Sequence, residues 1–260
     1  MKVVFFGATK FSEEVLTYLL LNKISIGALF TIPQEFSISY SQTKVKNYNY
    51  SELELISKKN NIPSYYIESS EFGKKTADYF EIINDIKPDV ILIVGWYYMV
   101  PKKIRELAKY GAWGIHASML PDYAGGAPLV WAMINGEKET GVTLFRLDEG
   151  VDDGDIIAQE KIVIEETDTI KEVYDKVTMS SKTILISALK NIRDIEFIPQ
   201  DKTKIKIYPQ RKPDDGEIDL TKPAKYLYDF IRAQSAPYPG AFIKTSDGKK
   251  LIIEKARIQD

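Results

Sequence analysis

The chain of 260 residues contains no cysteine and only one histidine, His116. The absence of cysteine excludes disulfide bonds, thiolate metal sites and a cysteine nucleophile. Because one histidine and no cysteine cannot supply the usual ligands of zinc, we expect no metal cofactor. His116 is therefore the single imidazole available for proton transfer near neutral pH.

The sequence also lacks long apolar runs and an excess of positive charge. No run of about 18 apolar residues occurs, so no membrane span is expected. The apolar run after Met1 is too short for a signal peptide. The net charge is −2 and the pI is about 5.7, whereas nucleic-acid binders usually carry a basic domain or stripe. We expect a cytoplasmic protein that binds neither a membrane nor nucleic acid.

Hydrophobic residues make up 44% of the chain, enough for the core of one large or two small domains. Short apolar runs alternate with segments of helical periodicity, which predicts a Rossmann-like α/β fold with a mostly parallel sheet. The predicted strands are Lys2–Phe6, Ile24–Ile32, Ser64–Ile67, Asp89–Val94, Ala112–Ile115, Thr140–Leu147 and Ile156–Ile164. The predicted helices are Ser12–Leu21, Ser51–Asn60, Phe72–Ile86, Lys102–Ala108, Ala127–Ile134 and a long helix from the capping box at Thr169 to about Ile192.

The turn after the first predicted strand contains one glycine, Gly7, where a dinucleotide fingerprint has three. This difference argues against an NAD site. Thr9 and Lys10 follow at the start of a predicted helix. They either contact a phosphate at the helix N-terminus or form an ordinary solvated turn. Further on, the polar segment Pro33–Tyr50 has no periodicity and is predicted to be a surface loop.

Two stretches follow predicted strands and contain candidate site residues. His116 comes directly after the apolar run Ala112–Ile115, and turn-forming residues follow it. Ligands in open α/β sheets bind outside the carboxyl ends of strands, so this imidazole is either a proton acceptor or a structural histidine. Bulky residues after Asp89–Val94 either line a ligand pocket or pack against the next helix. These bulky residues are Trp96, Tyr97, Tyr98, Met99 and Val100.

Four motifs with a distinctive order and spacing occur within about fifty residues around His116. They are His116–Pro121 (HASMLP), Gly125–Pro128 (GGAP), Asn135–Thr143 (NGEKETGVT) and Val151–Gln159 (VDDGDIIAQ). Together they resemble the formyltetrahydrofolate-dependent formyltransferase family. That family includes methionyl-tRNA formyltransferase, glycinamide ribonucleotide transformylase and the sugar N-formyltransferases. The resemblance implies the formyltransferase fold.

The resemblance assigns catalytic roles to His116 and Asp152. The family has an asparagine two positions before the histidine, but here that position holds Gly114. A side-chain amide donor near the developing oxyanion is therefore missing, and one such donor is worth about 3 kcal/mol of barrier in other enzymes. Ala124 also replaces an arginine that is frequent in the family.

The co-substrate implied by the resemblance is N10-formyltetrahydrofolate. Its pterin is expected to contact the segment Trp96–Val100 and Asp152, with backbone groups and apolar side chains of Tyr98, Met99 and Val100 at the ring. The other acidic residues of the loop Asp148–Gly154 are interpreted as surface.

Two regions are predicted: a formyltransferase catalytic domain at residues 1–196 and a small C-terminal α+β extension at residues 197–260. The extension contains a strand at Lys204–Tyr208, a helix at Pro223–Gln234 and a hairpin formed by Ala241–Thr245 and Leu251–Ala256. The resemblance implies that it is shorter than in the tRNA-modifying relatives and that it could support a homodimer. Candidate substrate-binding residues are Thr9, Lys10, Tyr208, Arg211, Arg232 and Tyr238.

The shortened extension and the charge of −2 favour a nucleotide-sugar acceptor over tRNA. By family frequency, the expected substrate is dTDP-4-amino-4,6-dideoxyglucose, for surface polysaccharide synthesis. Methionyl-tRNA formylation, formyltetrahydrofolate hydrolysis and a non-catalytic folate- or nucleotide-binding protein stay open as alternatives, the last because of Gly114.

Overall fold

The computed structural model of the protein describes residues 1–38, 44–68 and 73–259. Its strands are β1 (Lys2–Phe6), β2 (Ser25–Thr31), β3 (Glu35–Phe36), β4 (Val45–Lys46), β5 (Ser64–Tyr66), β6 (Val90–Ile93), β7 (Ala112–His116), β8 (Ala124–Gly125), β9 (Glu139–Arg146), β10 (Ile156–Val163), β11 (Ile207–Tyr208), β12 (Ala241–Lys244) and β13 (Lys250–Ile253). Its α-helices are α1 (Lys10–Leu21), α2 (Leu53–Lys59), α3 (Phe80–Ile86), α4 (Lys102–Arg105), α5 (Pro128–Ile134), α6 (Ile170–Lys190) and α7 (Ala224–Arg232).

Seven strands form the central sheet in the order β10-β9-β7-β6-β1-β2-β5. The five strands from β7 to β5 are mutually parallel, whereas β9 and β10 run antiparallel. Each residue of β6 is buried, as expected for a central parallel strand with both faces covered. The predicted α/β class with a mostly parallel sheet is confirmed.

Alternate residues of the strands supply two hydrophobic cores, one on each face of the sheet. Val3 and Phe5 point into a core with α1, α5 and α6, while Val4 and Phe6 point into a core with α3 and α4. The period of two along a strand explains this division. Burial of one such side chain stabilises the fold by about 1.5–3 kcal/mol. Thr169 and Glu172 form the predicted capping box at the start of α6.

The C-terminal segment returns to the carboxyl edge of the sheet. β11 pairs in parallel with β8, which lies in the loop after His116. α7 packs against α5, and β12 pairs with β13 in the predicted hairpin. Residues from this segment therefore lie close to the motifs that follow β7.

Three local predictions were wrong because tertiary packing overrides the local pattern. The predicted surface loop Pro33–Tyr50 contains the β3–β4 pair, and Phe36 is buried against Tyr97 and Tyr98; residues 39–43 of that loop lie outside the described residues. The predicted helix Lys102–Ala108 is a single turn, α4. The predicted strand Lys204–Tyr208 is a 3-10 turn at Lys202–Lys204 followed by the two residues of β11.

The third predicted helix also starts later than expected. A 3-10 turn at Thr76–Tyr79 precedes α3, and the predicted first residue, Phe72, lies outside the described residues. Across the ranges the structure describes, no helix is both long and apolar enough to cross a bilayer.

Candidate active site

His116 is the last residue of β7, at the carboxyl edge of the parallel strands. Its predicted position at a strand end is confirmed. Side chains from β9 and β10 hold the loop that follows. Thr143 Oγ1 donates to the Ser118 carbonyl (2.7 Å), and Gln159 Nε2 donates to the Leu120 carbonyl (2.8 Å) and to Thr143 Oγ1 (2.9 Å). Because Thr143 is fully buried, this network fixes the loop relative to the imidazole.

The imidazole of His116 lies between two oxygen acceptors. Its Nδ1 is 3.4 Å from Asp152 Oδ2, and its Nε2 is 2.8 Å from the carbonyl oxygen of Tyr123. The His116 side chain is 9% exposed and that of Asp152 is 21% exposed. A neutral imidazole can donate to only one of these oxygens, whereas the doubly protonated ring can donate to both. The structure thus brings together the two side chains that the resemblance paired.

The loop that holds Asp152 is a tight turn with contacts on both sides. Asp152 has a φ of 52°, in the left-handed region, and its Oδ2 accepts a hydrogen bond from the Gly125 amide at 2.8 Å. Gly154 has no room for a side chain, since an added Cβ would lie 1.7 Å from the Arg146 carbonyl oxygen. Gln200 Nε2 donates to the carbonyls of Asp152 (2.8 Å) and Gly154 (2.6 Å). Sequence reasoning missed Gln200, because no local pattern links it to this loop.

Gly114 lies where the resemblance places an asparagine. A Cβ added to it would be 2.8 Å from Leu147 Cδ1 and 3.0 Å from Phe145 Cε1. Apolar side chains therefore fill the space beside this backbone position, and an amide side chain does not fit there without a shift of Leu147.

A cavity of about 120 Å³ borders Asp152. It is lined by Tyr98, Met99, Val100, Arg105, Phe145, Leu147, Asp148, Gly150, Val151 and Asp152. Clefts that hold whole drug-sized ligands measure about 300–1,000 Å³, so this cavity accommodates one end of such a ligand. Three residues of the segment predicted to contact a pterin are thus neighbours of the catalytic candidate Asp152.

The other two residues of that segment do not line the cavity. The ring of Trp96 packs edge-on against Phe6, with ring centroids 5.3 Å apart. The Tyr97 hydroxyl donates to Asn47 Oδ1 at 3.1 Å. Trp96 also packs edge-on against Tyr98, with ring centroids 5.9 Å apart, and Tyr97 packs against Phe36.

Thr9 and Lys10 differ in their solvent exposure. Thr9 is 8% exposed and caps α1, with Oγ1 accepting from the Ser12 amide and lying 2.9 Å from Ser12 Oγ. Lys10 is exposed. The structure thus shows the capping contact for Thr9, while Lys10 is accessible to a ligand.

Tyr208 and Arg211 join an aromatic cluster beside the His116 loop. The ring of Tyr208 stacks on Tyr123 with centroids 4.7 Å apart, and its centroid is 5.8 Å from that of Trp131. The guanidinium of Arg211 lies 4.8 Å from the centre of the Trp131 ring and donates to Gln234 Oε1 at 2.8 Å. Burial lowers the pKa of Arg211 from its ordinary value. These contacts tie the C-terminal segment to the loop.

Arg232 and Tyr238 are engaged within the protein. Arg232 is 6% exposed, and its guanidinium donates to Asp229 Oδ1 (2.7 Å) and to the carbonyls of Glu165 and Asp168 (both 2.9 Å). The Tyr238 hydroxyl lies 2.5 Å from that of Tyr174. Burial holds the pKa of Tyr238 well above its ordinary value. In the structure, both side chains form contacts within the protein.

The sequence matches the family model described as formyl transferase over residues 1–189. The chain belongs to the formyl transferase family. It is accordingly a one-carbon transfer enzyme, and its residues 211–260 match the family's C-terminal domain. Members of the family use formyltetrahydrofolate as the formyl donor.

Named relatives differ in the acceptor they use. The methionyl-tRNA formyltransferase of Caldanaerobacter subterraneus subsp. tengcongensis is 31% identical over 265 aligned residues, covering 99% of this chain and 81% of that protein. A 4-N formyltransferase from Francisella tularensis superposes with a TM-score of 0.73 at 18% identity, covering 99% and 98% of the two chains. A sugar 3N-formyltransferase solved with dTDP and 5-N-formyl-THF has a TM-score of 0.64 at 20% identity, covering 90% and 78%. The structural likenesses establish the fold.

Proposed function

We propose that this formyltransferase transfers the formyl group of N10-formyltetrahydrofolate to the amino group of a nucleotide-linked amino-dideoxy sugar. The first candidate acceptor is dTDP-4-amino-4,6-dideoxyglucose, a precursor for surface polysaccharide. The observation that carries the proposal is the contact of His116 with Asp152 at the edge of a cavity lined by Tyr98 and Val100. Similarity of the fold to sugar formyltransferases supports the choice of acceptor.

The cavity beside Asp152 fits the ring end of a folate. Its apolar walls, which include Tyr98 and Phe145, suit a flat heterocycle. Arg105 lines the cavity, and its buried Nε has no hydrogen-bond partner within the described ranges, so a donor is available to a ring acceptor. A second cavity of about 320 Å³ adjoins the first and shares Arg105, Leu147 and Asp148 with it.

The chemistry requires a proton acceptor for the attacking amine. The bound formyltetrahydrofolate supplies a formyl carbon on a nitrogen that can leave. In the proposed mechanism, His116 accepts the proton that the amine loses and passes a proton to the leaving nitrogen. Asp152 orients the imidazole through the 3.4 Å contact with Nδ1. The 3.4 Å contact is the longer of the two that hold the ring, so it is the one a reacting group or a relaying water exchanges most readily.

Negative charge on the formyl oxygen must be stabilised without an amide at Gly114. A protonated His116 and nearby backbone N–H groups are the donors that the site provides. We expect a smaller rate enhancement than with an asparagine present, because one donor is worth about 3 kcal/mol of barrier.

Methionyl-tRNA formylation is the second candidate, and the 31% identity over 99% of the chain favours it. Residues 197–260 also contain 13 lysine and arginine residues against nine aspartate and glutamate residues, although the whole chain has a net charge of −2. Positive charge concentrated in one segment is the electrostatic feature that phosphate backbones attract.

A paired acceptor assay separates the two candidates. The enzyme and formyltetrahydrofolate are incubated with the nucleotide sugar or with methionyl-tRNA, and each product is analysed by mass spectrometry, with His116→Asn as control. Formamide on the sugar supports the proposal, whereas formylation of tRNA alone, with a steep salt dependence, supports the second candidate. Release of formate without transfer would identify a hydrolase. Binding of folate or nucleotide without any turnover would identify a binding protein.

Three further expectations stay predictions. They are the division into residues 1–196 and 197–260, the cytoplasmic location, and a homodimer through the C-terminal segment. Leu251 and Ile252 of β13 are 55% and 41% exposed, so the hairpin offers apolar surface for such a contact. The candidates for contact with the nucleotide and sugar stay Thr9, Lys10, Tyr208, Arg211, Arg232 and Tyr238, and Lys10 is the most exposed of them.

A further inference from the structure

Gln200 belongs to the segment after α6, yet its side chain reaches into the turn that contains Asp152. The residue is 9% exposed, and its Nε2 donates to the carbonyls of Asp152 (2.8 Å) and Gly154 (2.6 Å). Both acceptors are carbonyl oxygens, so the amide group must present its nitrogen to them. One side chain therefore holds the carbonyl groups of the two residues on either side of Asp153.

The turn depends on outside support. Asp152 adopts a φ of 52°, a conformation that costs a residue other than glycine some free energy. Within the described ranges, its carboxylate accepts one hydrogen bond from the backbone, from Gly125, and its other contact is the longer one to His116. The direction of the carboxylate therefore depends on the backbone of the turn, and Gln200 bonds the Asp152 carbonyl of that backbone.

We propose that Gln200 is a positioning residue for formyl transfer, which fixes the Asp152 carboxylate against the His116 imidazole. The inference rests on the proposed catalytic pair. If Gln200 only stabilised the fold, its loss would lower stability and leave the imidazole of the folded protein unchanged.

Lys202 offers a matched control on the same turn. Its Nζ donates to the carboxylates of Asp153 (Oδ2, 2.8 Å) and Asp148 (Oδ2, 3.3 Å), whereas Gln200 bonds the carbonyls of Asp152 and Gly154. Its side chain is 57% exposed, so these ion pairs contribute little. Lys202→Met thus perturbs the loop without removing the support of Asp152.

His116 is the only histidine, so a protein with isotope-labelled histidine gives one imidazole signal in the NMR spectrum. Gln200→Met keeps the side-chain length and removes the donor. In Gln200→Met, we expect the chemical shift of His116 Nδ1 to move toward the value found in Asp152→Asn. In Lys202→Met, we expect the His116 signal to match that of the wild type. A wild-type imidazole signal in folded Gln200→Met would overturn the proposal, and so would an unchanged signal in Asp152→Asn. If Gln200→Met fails to fold, Gln200→Asn, which withdraws the amide by one methylene, carries the same comparison.

Kinetics provide a second readout. A misplacement of about 1 Å can cost a hundredfold in rate, so kcat of Gln200→Met is expected to fall about tenfold to a hundredfold while KM for the nucleotide sugar changes less than about twofold. A wild-type kcat together with a wild-type imidazole signal in Gln200→Met would refute the positioning role of Gln200 and leave the proposed function intact. Absence of transfer to any acceptor would instead refute the proposed function, and the NMR comparison would still decide whether Gln200 fixes Asp152.

Discussion

Two carboxylates of this protein, Asp152 and Asp229, have basic partners but very different surroundings. Asp229 is 3% exposed and bonds Arg232 Nε at 2.7 Å and Lys225 Nζ at 2.9 Å. The Asp152 side chain is 21% exposed, lies 3.4 Å from the His116 imidazole and borders a cavity. The Asp229 pair is saturated by intramolecular contacts, whereas the Asp152 pair keeps a long contact that a reactant can replace. A pair that transfers protons needs a contact that a reactant can replace. A pair that stabilises the fold does not need one.

The cost of breaking each pair should therefore appear in different measurements. Removal of one partner from a buried pair leaves an uncompensated charge and lowers stability. In the proposed mechanism, removal of one partner from the pair of His116 and Asp152 is expected to impair proton transfer and to lower turnover. The substitutions below test this contrast.

The largest effect is expected for the catalytic pair. His116→Asn and Asp152→Asn should each lower kcat about a hundredfold or more, since general acid–base catalysis contributes about 10²–10⁴-fold. The melting temperature should stay near that of the wild type, because asparagine keeps a polar side chain at both positions and Asp152 borders a cavity. Steady-state kinetics with a parallel thermal melt check both statements. Wild-type turnover by purified His116→Asn would remove the imidazole from the mechanism.

The next effect concerns the buried pair. Arg232→Met should lower the free energy of unfolding by about 3 kcal/mol, because Asp229 then keeps only the half-exposed Lys225 and the carbonyls of Glu165 and Asp168 lose their donor. Denaturant titration measures the loss. For the fraction that stays folded, an unchanged KM for the nucleotide sugar supports a structural role. A strongly raised KM with little loss of stability would support a role for Arg232 in substrate binding.

A smaller effect on stability is expected at Gly114, where the family has an asparagine. Gly114→Asn should lower stability by about 1–3 kcal/mol, because the new side chain overpacks against Leu147 and Phe145. The double variant with Leu147→Ala opens space and should recover part of the loss. If the double variant also gains kcat, an amide at this position adds a donor to the site. Full stability of Gly114→Asn alone would contradict the packing described here.

The smallest effect is expected at the buried pair of hydroxyls. Tyr238→Phe removes the hydrogen bond to Tyr174 and should lower stability by about 1 kcal/mol. Burial raises the pKa of Tyr238 above its ordinary value of about 10, so the folded state retains its proton longer than the unfolded state. Wild-type stability should thus fall as the pH rises above about 10, and Tyr238→Phe should weaken that fall. If the stability of Tyr238→Phe fell equally steeply with pH, the loss of stability would be due to the titration of other groups.

The sequence predicted the sheet, which the structure confirms, and the contact of His116 with Asp152, whose catalytic role stays a proposal. Strands such as β6 are apolar throughout, so local pattern identified them. His116 and Asp152 lie in motifs of distinctive spacing, so resemblance identified them. Gln200 and Leu147 escaped both criteria, because their importance arises only when distant segments pack together. The contacts of Arg232 could not be foreseen either, since an arginine at the end of a helix usually faces solvent.

The central claim is that the His116 and Asp152 pair serves formyl transfer to a nucleotide sugar. The most direct test uses formyltetrahydrofolate with an isotopically labelled formyl carbon, the wild-type enzyme and dTDP-4-amino-4,6-dideoxyglucose, followed by NMR of the label. We expect the label to move to a sugar formamide with the wild type and to stay on the folate with Asp152→Asn. Label that ends in formate, or that reaches the sugar equally well with both proteins, would contradict it.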